Sequence, residues 1–147
     1  MATIQIPAIQ IIDASKDDQD VIETQLVRYN NSAVPFKQDT PFVPVNRCIK
    51  QGDEVVGGIM ALVYCWKVLA IDILWVKDTH RNKGYATVLM DDVENIAREM
   101  GCKLAHLDTF DFQAKELYEK RGYSVFGTLE DCPEGHNRYY MAKKLQG

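Results

Sequence analysis

An apolar run over residues 69–76 stops at a short polar turn, and an amphipathic segment over residues 86–100 follows it. Apolar residues recur there every three or four positions, at Ala86, Leu89, Met90, Val93, Ile96, Ala97 and Met100. This spacing predicts a helix with one buried face, which Gly101 is suited to end. Residues 104–108 form the next strand-like run, so part of the sheet is predicted to be parallel.

The rest of the chain divides into shorter strand-like and helix-like segments. Ser15 and its acidic neighbours provide N-cap chemistry for a helix predicted over residues 16–29. Three prolines predict a loop over residues 31–46. The remaining predictions are strands at 4–11, 54–64, 69–76, 123–126 and 139–141, a hairpin at 65–67 and a helix at 113–121.

The length of 147 residues predicts a single domain over residues 1–147 that needs no disulfide or metal to fold. The net charge of −4 and the lack of a basic stripe argue against a nucleic-acid partner. No apolar run reaches the ~18 residues of a membrane span. The first residues lack the basic and apolar blocks of a signal peptide, so a cytoplasmic location is expected.

The cysteines and histidines are scattered along the chain rather than grouped at the spacing of metal ligands. The four cysteines are therefore predicted to be reduced thiols, and no metal is predicted. Among the three histidines, His80 lies in the polar turn and is expected at its surface.

The polar turn before the long helix has the composition of an anion site. The first N–H groups of a helix lack internal partners and lie at the positive end of its dipole. Gly84 leaves the backbone accessible and permits a positive φ, while Ala86 keeps the first turn slim. Arg81 and Lys83 add positive charge. These features predict a phosphate or pyrophosphate site, and the alternative is an ordinary connection with solvated side chains.

Two motifs in this half of the chain resemble those of the GNAT superfamily of acyl-CoA-dependent N-acyltransferases. The segment Arg81-x-x-Gly84-x-Ala86, after a strand, is similar to motif A of that family. The segment Ala114-x-x-Leu117-Tyr118-Glu119-Lys120-x-Gly122-Tyr123 is similar to its motif of Ala, Tyr and a Gly–aromatic pair. The resemblance runs over residues 55–145, and it looks like that of a small bacterial subgroup. It implies an α/β (α+β) fold with a mixed, mostly antiparallel sheet, a parallel splayed strand pair and flanking helices.

The resemblance also implies that acetyl-CoA is the co-substrate. Its pantetheine arm is expected along the exposed backbone of a splayed strand, and its pyrophosphate on the N–H groups of the turn. The implied cofactor-binding residues are Leu74, Trp75, Val76, Arg81, Asn82, Lys83, Gly84, Tyr85, Ala86, Thr87, Asp111, Ala114 and Tyr118.

Asp111 departs from the family pattern, which often has Asn at this position. An ionised carboxylate accepts hydrogen bonds but cannot donate them, so the donor half of the amide is lost. Either the cofactor contact is altered, or Asp111 caps the helix that follows. Asp is a favourable N-cap residue, which favours the second interpretation.

Tyr118 occupies the position of the family's general acid, so the resemblance implies that its hydroxyl protonates the leaving thiolate. The alternative is that Tyr118 simply packs with Ala114 and Leu117. Asp72 is the first candidate for the base that deprotonates the amine, because burial in an apolar run would raise its pKa. The alternative for Asp72 is a structural carboxylate. His106 and Asp108 share a face of the next strand and are the second candidates.

The predicted function is transfer of an acetyl group from acetyl-CoA to a primary amine of a small molecule or peptide. The amine attacks directly in a ternary complex. The alternative is a non-catalytic acyl-CoA-binding or sensor module. Neither nucleic acid nor a membrane is expected as a partner, and the exposed closing strands are compatible with a homodimer.

Overall fold

The computed structural model describes residues 3–6 and 8–145. The first two residues, on which the expectation about a signal peptide partly rests, lie outside the described residues. The chain divides into two compact units, Met1–Phe36 and Lys37–Gly147. A single domain over residues 1–147 stays a prediction, and the two units are described separately.

The N-terminal unit contains a small antiparallel strand pair and one long helix. The strands are β1 (Ile4–Ile6) and β2 (Ile9–Ile11), and the helix is α1 (Lys16–Ala33). The side chain of Ser15 accepts a hydrogen bond from the Asp18 N–H at 3.1 Å, and Asp18 accepts one from the Ser15 N–H at 3.0 Å. This reciprocal capping box confirms the predicted start of the helix. The helix continues beyond the predicted end at residue 29.

The second unit is built on a six-stranded sheet. Its strands in chain order are β3 (Phe42–Gln51), β4 (Glu54–Tyr64), β5 (Val68–Val76), β6 (Leu104–Phe110), β7 (Ser124–Leu129) and β8 (Arg138–Lys144). Across the sheet the order is β3-β4-β5-β6-β8-β7. The pair β5–β6 is parallel and the other neighbours are antiparallel, which confirms the predicted mixed sheet.

The loop predicted over residues 31–46 is wrong in its last part, because β3 already begins at Phe42. Pro44 lies inside this strand and is paired in register with Leu62. Proline is tolerated there because β3 is the edge strand of the sheet and has a neighbour on one side only. An edge strand can lack a backbone N–H on its open side without losing a hydrogen bond.

Helix α2 (Tyr85–Glu99) confirms the long amphipathic helix. Its buried side chains, which include Leu89, Met90 and Val93, form one core with apolar side chains from β3, β4, β5, β6 and β8. Gly101 takes a φ of +89° just beyond its end. Helix α3 (Lys115–Lys120) is shorter than predicted. The Gln113 side chain accepts hydrogen bonds from the Phe110 N–H at 2.9 Å and the Thr109 hydroxyl at 3.2 Å, so it lies in the connection before the helix.

Within residues 3–6 and 8–145, no helix combines the length and the hydropathy that crossing a membrane requires. The same part of the chain contains no group of three His, Cys, Asp or Glu residues arranged to hold a metal ion. All four cysteines are free thiols, and two of them, Cys65 and Cys102, are buried.

Candidate active site

The parallel strands β5 and β6 pair over only part of their length and then separate. Their pairing starts at Val68 and Leu104 and ends at Ile71 and Leu107. At the same point the register of β5 against β4 shifts, so that Asp72 is the extra residue of a β-bulge. A bulge increases the local twist of a strand, and this turns the end of β5 away from β6.

A cleft of about 740 Å³ lies beside this separation. Its walls are the end of β5, the turn that leads into α2, and the loop and first turn of α3. The lining residues are Asp72, Ile73, Leu74, Trp75, Val76, His80, Arg81, Asn82, Gly84, Tyr85, Ala86, Thr87, Phe112, Gln113, Ala114 and Leu117. Of the implied cofactor-binding residues, all but Lys83, Asp111 and Tyr118 therefore lie on one cleft.

The turn before α2 presents backbone N–H groups to this cleft. Asn82 and Gly84 both have positive φ, at +61° and +84°, and Gly84 directly precedes the helix. The first helical bond runs from the Val88 N–H to the Gly84 carbonyl at 3.0 Å, so earlier N–H groups have no partner one turn back. A Cβ built on Gly84 meets no atom within 4 Å. The first turn has no acidic residue. The arrangement can accept an anion.

Arg81 is held across the turn rather than free. Its Nε donates to the Val76 carbonyl at 3.2 Å, and its guanidinium forms an ion pair with Asp78 at 3.1 Å. Both side chains are exposed, so this pair contributes little stability. Arg81 therefore fastens the end of β5 to the turn, and Asp78 offsets part of its charge.

His80 is buried, with 9% of its surface exposed, so the prediction of a surface position is wrong. Its Nε2 lies 2.8 Å from Oε1 of Gln51, and its Nδ1 lies 2.8 Å from the Thr79 hydroxyl. The ring also packs against Tyr85, with 5.6 Å between centroids. Sequence reasoning missed this because Gln51 is 29 residues away and no local pattern marks it.

Tyr118 is buried and packs edge-on against Tyr123, with 6.0 Å between the ring centroids. Burial, and then the negative charge of Asp108, raise the pKa of the Tyr118 hydroxyl to about 12. A phenol is protonated at neutral pH even at its ordinary pKa, so the hydroxyl can donate a hydrogen bond, and the raised pKa extends this to alkaline pH. Its neighbours Ala114 and Leu117 line the cleft, although Tyr118 does not.

The three candidate bases have different surroundings. Asp72 lies on the cleft but is exposed, which contradicts the burial expected from its apolar run. Oδ1 of Asp108 accepts two bonds from Arg138, at 2.9 and 2.6 Å. His106 Nε2 lies 2.8 Å from the Tyr64 hydroxyl. Asp72 is the member of this set that lines the cleft.

Asp111 does not cap α3, so that prediction is wrong; Ala114 precedes the helix. The Asp111 carboxylate accepts the Asn137 N–H at 2.8 Å and lies 2.9 Å from His136 Nδ1. These two contacts, the backbone one first, hold the pKa of Asp111 below its usual range. The Asp111 N–H also donates to the Asn137 carbonyl at 2.9 Å. Asp111 thus fastens the loop before β8 to the end of β6.

Sequence reasoning also missed a buried charge cluster around Glu94, which is only 1% exposed. The Glu94 carboxylate accepts bonds from Lys143 at 2.8 Å, the Tyr123 hydroxyl at 2.9 Å and Arg121 at 3.2 Å. Burial, and next the charge of Glu94, raise the pKa of the Tyr123 hydroxyl. The cluster therefore holds the Tyr123 ring, and Tyr118, the predicted acid, packs against that ring.

Comparisons with known proteins agree with this geometry. The model of a family described as "Acetyltransferase (GNAT) family" matches residues 10–123, which include the turn at 81–86 and the motif that begins at Ala114. A blasticidin-S acetyltransferase from Streptomyces morookaense is 34% identical over 99 residues, which cover 67% of this chain and 71% of that protein.

Solved structures share the fold. An acetyltransferase from Bacillus cereus ATCC 14579 is 33% identical with a TM-score of 0.87, and the match covers 95% of this chain and 100% of that one. An aminoglycoside 6'-N-acetyltransferase complexed with coenzyme A has a TM-score of 0.63 at 18% identity, over 93% of this chain and 98% of that one. The second likeness concerns the fold alone.

Proposed function

Because the chain belongs to the acetyltransferase (GNAT) family, we propose that it moves an acetyl group from acetyl-CoA to a primary amine of a small molecule. The amine attacks directly while both substrates are bound. One observation carries the proposal. A continuous cleft joins the separated end of β5 to the start of α2, which has free N–H groups and no acidic residue.

The residues of this cleft fit acetyl-CoA, which supplies the acetyl group as a thioester. The N–H groups of Tyr85, Ala86 and Thr87 would hold the pyrophosphate, and Gly84 leaves the space for it. The backbone of residues 74–76 would pair with the pantetheine amides. A hydrogen bond to a charged group contributes about 1.5–3 kcal/mol. The helix dipole contributes only about 0.3–1 kcal/mol, so the hydrogen bonds should dominate affinity.

Two side chains of this chain would handle protons. Asp72, at the bulge where the strands separate, would accept the proton of the amine directly or through water. Tyr118 would donate a hydrogen bond to the leaving sulfur. A phenol with a pKa of about 12 is a weaker acid than an ordinary thiol, whose pKa is ~8.5. Tyr118 would therefore stabilise the developing thiolate more than it transfers its proton completely.

The acceptor is proposed to be a small cationic amine. One relative is a blasticidin-S acetyltransferase, which supports a small molecule over a protein side chain. The net charge of −4 favours attraction of a cation. The one sequence feature that favoured a non-catalytic sensor was Asp111 in place of Asn. Its bonds to Asn137 and His136 give that carboxylate a structural role and weaken the alternative.

The direct test is a thiol-release assay with acetyl-CoA and a panel of amines, with products identified by mass spectrometry. We expect acetylated product from small cationic amines. Binding of acetyl-CoA without thiol release from any amine would favour the acyl-CoA-binding module. No binding of acetyl-CoA at all would contradict both functions.

Gly84→Glu is expected to weaken acetyl-CoA binding by at least ~100-fold, since a carboxylate beside the free N–H groups would cost two charged hydrogen bonds. The matched control is Gly84→Ala, which adds a Cβ at the same positive φ without charge. Both variants should lose about 1–2 kcal/mol of stability from that φ. Titration calorimetry measures the Kd, and equal affinity in the two variants would reject the anion site.

Asp72→Asn is expected to lower kcat by about 10²-fold, the lower end of the range for a general base, because water reaches this exposed carboxylate and can share its role. The KM for acetyl-CoA should stay near that of the wild type. Asp53→Asn is the comparison, since Asp53 is also exposed but does not line the cleft. A kcat for Asp72→Asn close to the wild-type value would assign proton removal to another group.

A further inference from the structure

The buried ring of His80 connects the anion-binding turn to the β3–β4 hairpin. One ring nitrogen contacts Gln51, the last residue of β3, and the other contacts the Thr79 hydroxyl. The ring also packs at a tilt of 42° against Tyr85, the first residue of α2. Three contacts in different directions therefore fix the orientation of this side chain, which directly precedes Arg81.

We propose that His80 is a positioning residue for the pyrophosphate-binding turn and that Gln51 sets acetyl-CoA affinity through it. The inference rests on the proposed function, because it assigns the turn to the pyrophosphate of acetyl-CoA. Gln51 and Thr79 do not line the cleft, whereas His80 does. The His80 ring is the group that touches both Gln51 and the cleft, so it is the direct link from Gln51 to the cofactor site.

The turn needs such support because its backbone is unusual. Asn82 and Gly84 both take positive φ within three residues. A non-glycine residue at positive φ is strained, and the strain persists only where the surroundings hold it. Arg81 ties one end of the turn to Val76, and the His80 ring against Tyr85 holds the side that enters α2. The direction of the free N–H groups of α2 depends on the backbone conformation with which the turn enters the helix.

The β3–β4 hairpin also holds the other end of the short 3-10 helix Asp78–His80. The Lys77 N–H donates to the Val56 carbonyl at 2.8 Å, and the Lys77 ammonium forms an ion pair with Glu54. The Glu54–Lys77 pair is solvent-exposed, while the contact of the buried His80 ring with the exposed Gln51 side chain is part-buried. An unmade hydrogen bond at the buried His80 ring costs more than the loss of an exposed ion pair, so Gln51 should matter more than Glu54.

The hydrogen-bond chemistry fixes the role of one ring nitrogen. The Gln51 Oε1 can only accept, so Nε2 of His80 donates to it. The Thr79 hydroxyl, which can donate or accept, pairs with Nδ1. Removing the Gln51 side chain breaks the link between the ring and β3, and the ring is then free to shift against Tyr85.

The test measures the affinity of the full-length protein for acetyl-CoA in Gln51→Met and Thr79→Val. Both substitutions keep the approximate side-chain shape and remove the hydrogen-bonding atom. We expect the Kd to rise about tenfold in Gln51→Met, equivalent to ~1.4 kcal/mol. A smaller rise of about threefold is expected in Thr79→Val. The Thr79 contact joins neighbouring residues, so water can replace the hydroxyl without separating the turn from β3. Asp53→Asn, on the same hairpin and exposed, is the control.

A second ligand distinguishes positioning of the turn from general damage. S-acetylpantetheine carries the thioester and the pantetheine amides but no pyrophosphate. The affinity for S-acetylpantetheine should be the same in the wild type, the two variants and the control. In Gln51→Met and Thr79→Val the KM for acetyl-CoA should rise, while kcat at saturating acetyl-CoA should not change. Unchanged Kd values for acetyl-CoA in both variants, or equal losses for both ligands, would overturn the inference. A wild-type protein that binds no acetyl-CoA would instead reject the proposed function and the inference together.

Discussion

Tyr118→Phe is expected to lower kcat by about 10²- to 10⁴-fold while acetyl-CoA binds with nearly its normal affinity. The substitution removes one oxygen and leaves the ring packed against Tyr123. The hydroxyl is protonated at neutral pH, and burial and the charge of Asp108 raise its pKa further, so the wild-type enzyme has a donor for the leaving thiolate. Steady-state kinetics with saturating amine gives kcat, and calorimetry gives the Kd for acetyl-CoA.

Tyr123→Phe is the matched control for this prediction. It removes the hydroxyl of the neighbouring ring, which binds Glu94 rather than facing the predicted sulfur position. We expect it to lower stability by about 1–3 kcal/mol, because a buried carboxylate loses a donor. Its kcat should remain near that of the wild type. If the two variants lost activity equally, Tyr118 would be a packing residue and the acid would have to be sought elsewhere.

The parts of the fold that were predictable depend on local pattern. The apolar spacing of α2 and the glycine after it are both contained within residues 86–101, and the structure reproduces them. The parallel pair followed from the order of strand, helix and strand. In contrast, Pro44 was interpreted as a loop residue because nothing local shows that β3 lies at the sheet edge. The shortened start of α3 likewise depends on how the Gln113 side chain folds back.

The candidate site divides in the same way. The turn at residues 81–86 is a backbone feature, so spacing and glycine placement could indicate it. The surroundings of side chains could not be predicted, because their partners are distant in sequence. His80 binds Gln51 29 residues away, Asp111 binds His136 25 residues away, and Glu94 binds Lys143 49 residues away. Each of these contacts exists only after the sheet has formed.

Glu94→Ala is expected to lower the free energy of unfolding by about 3–5 kcal/mol, the usual cost of removing one partner of a buried ion pair. Lys143 and Arg121 would keep their charges next to a cavity, and the Tyr123 hydroxyl would lose its acceptor. Arg121 already has one unmet hydrogen-bond donor, since its Nε is buried without a partner among the described residues. Losing Glu94 would leave a further donor of this guanidinium unmet. Chemical denaturation monitored by circular dichroism measures the change.

Asp91→Ala provides the comparison, because Asp91 binds the same guanidinium at 2.7 Å but is itself 58% exposed. Water can replace the exposed Asp91 carboxylate at the guanidinium, although Arg121 itself is 13% exposed, so this variant should lose much less stability than Glu94→Ala. Glu94→Gln should fall between the two, since the amide oxygen still accepts a bond while the charge is lost. Similar losses for Glu94→Ala and Asp91→Ala would mean that water reaches Arg121 and Lys143 freely.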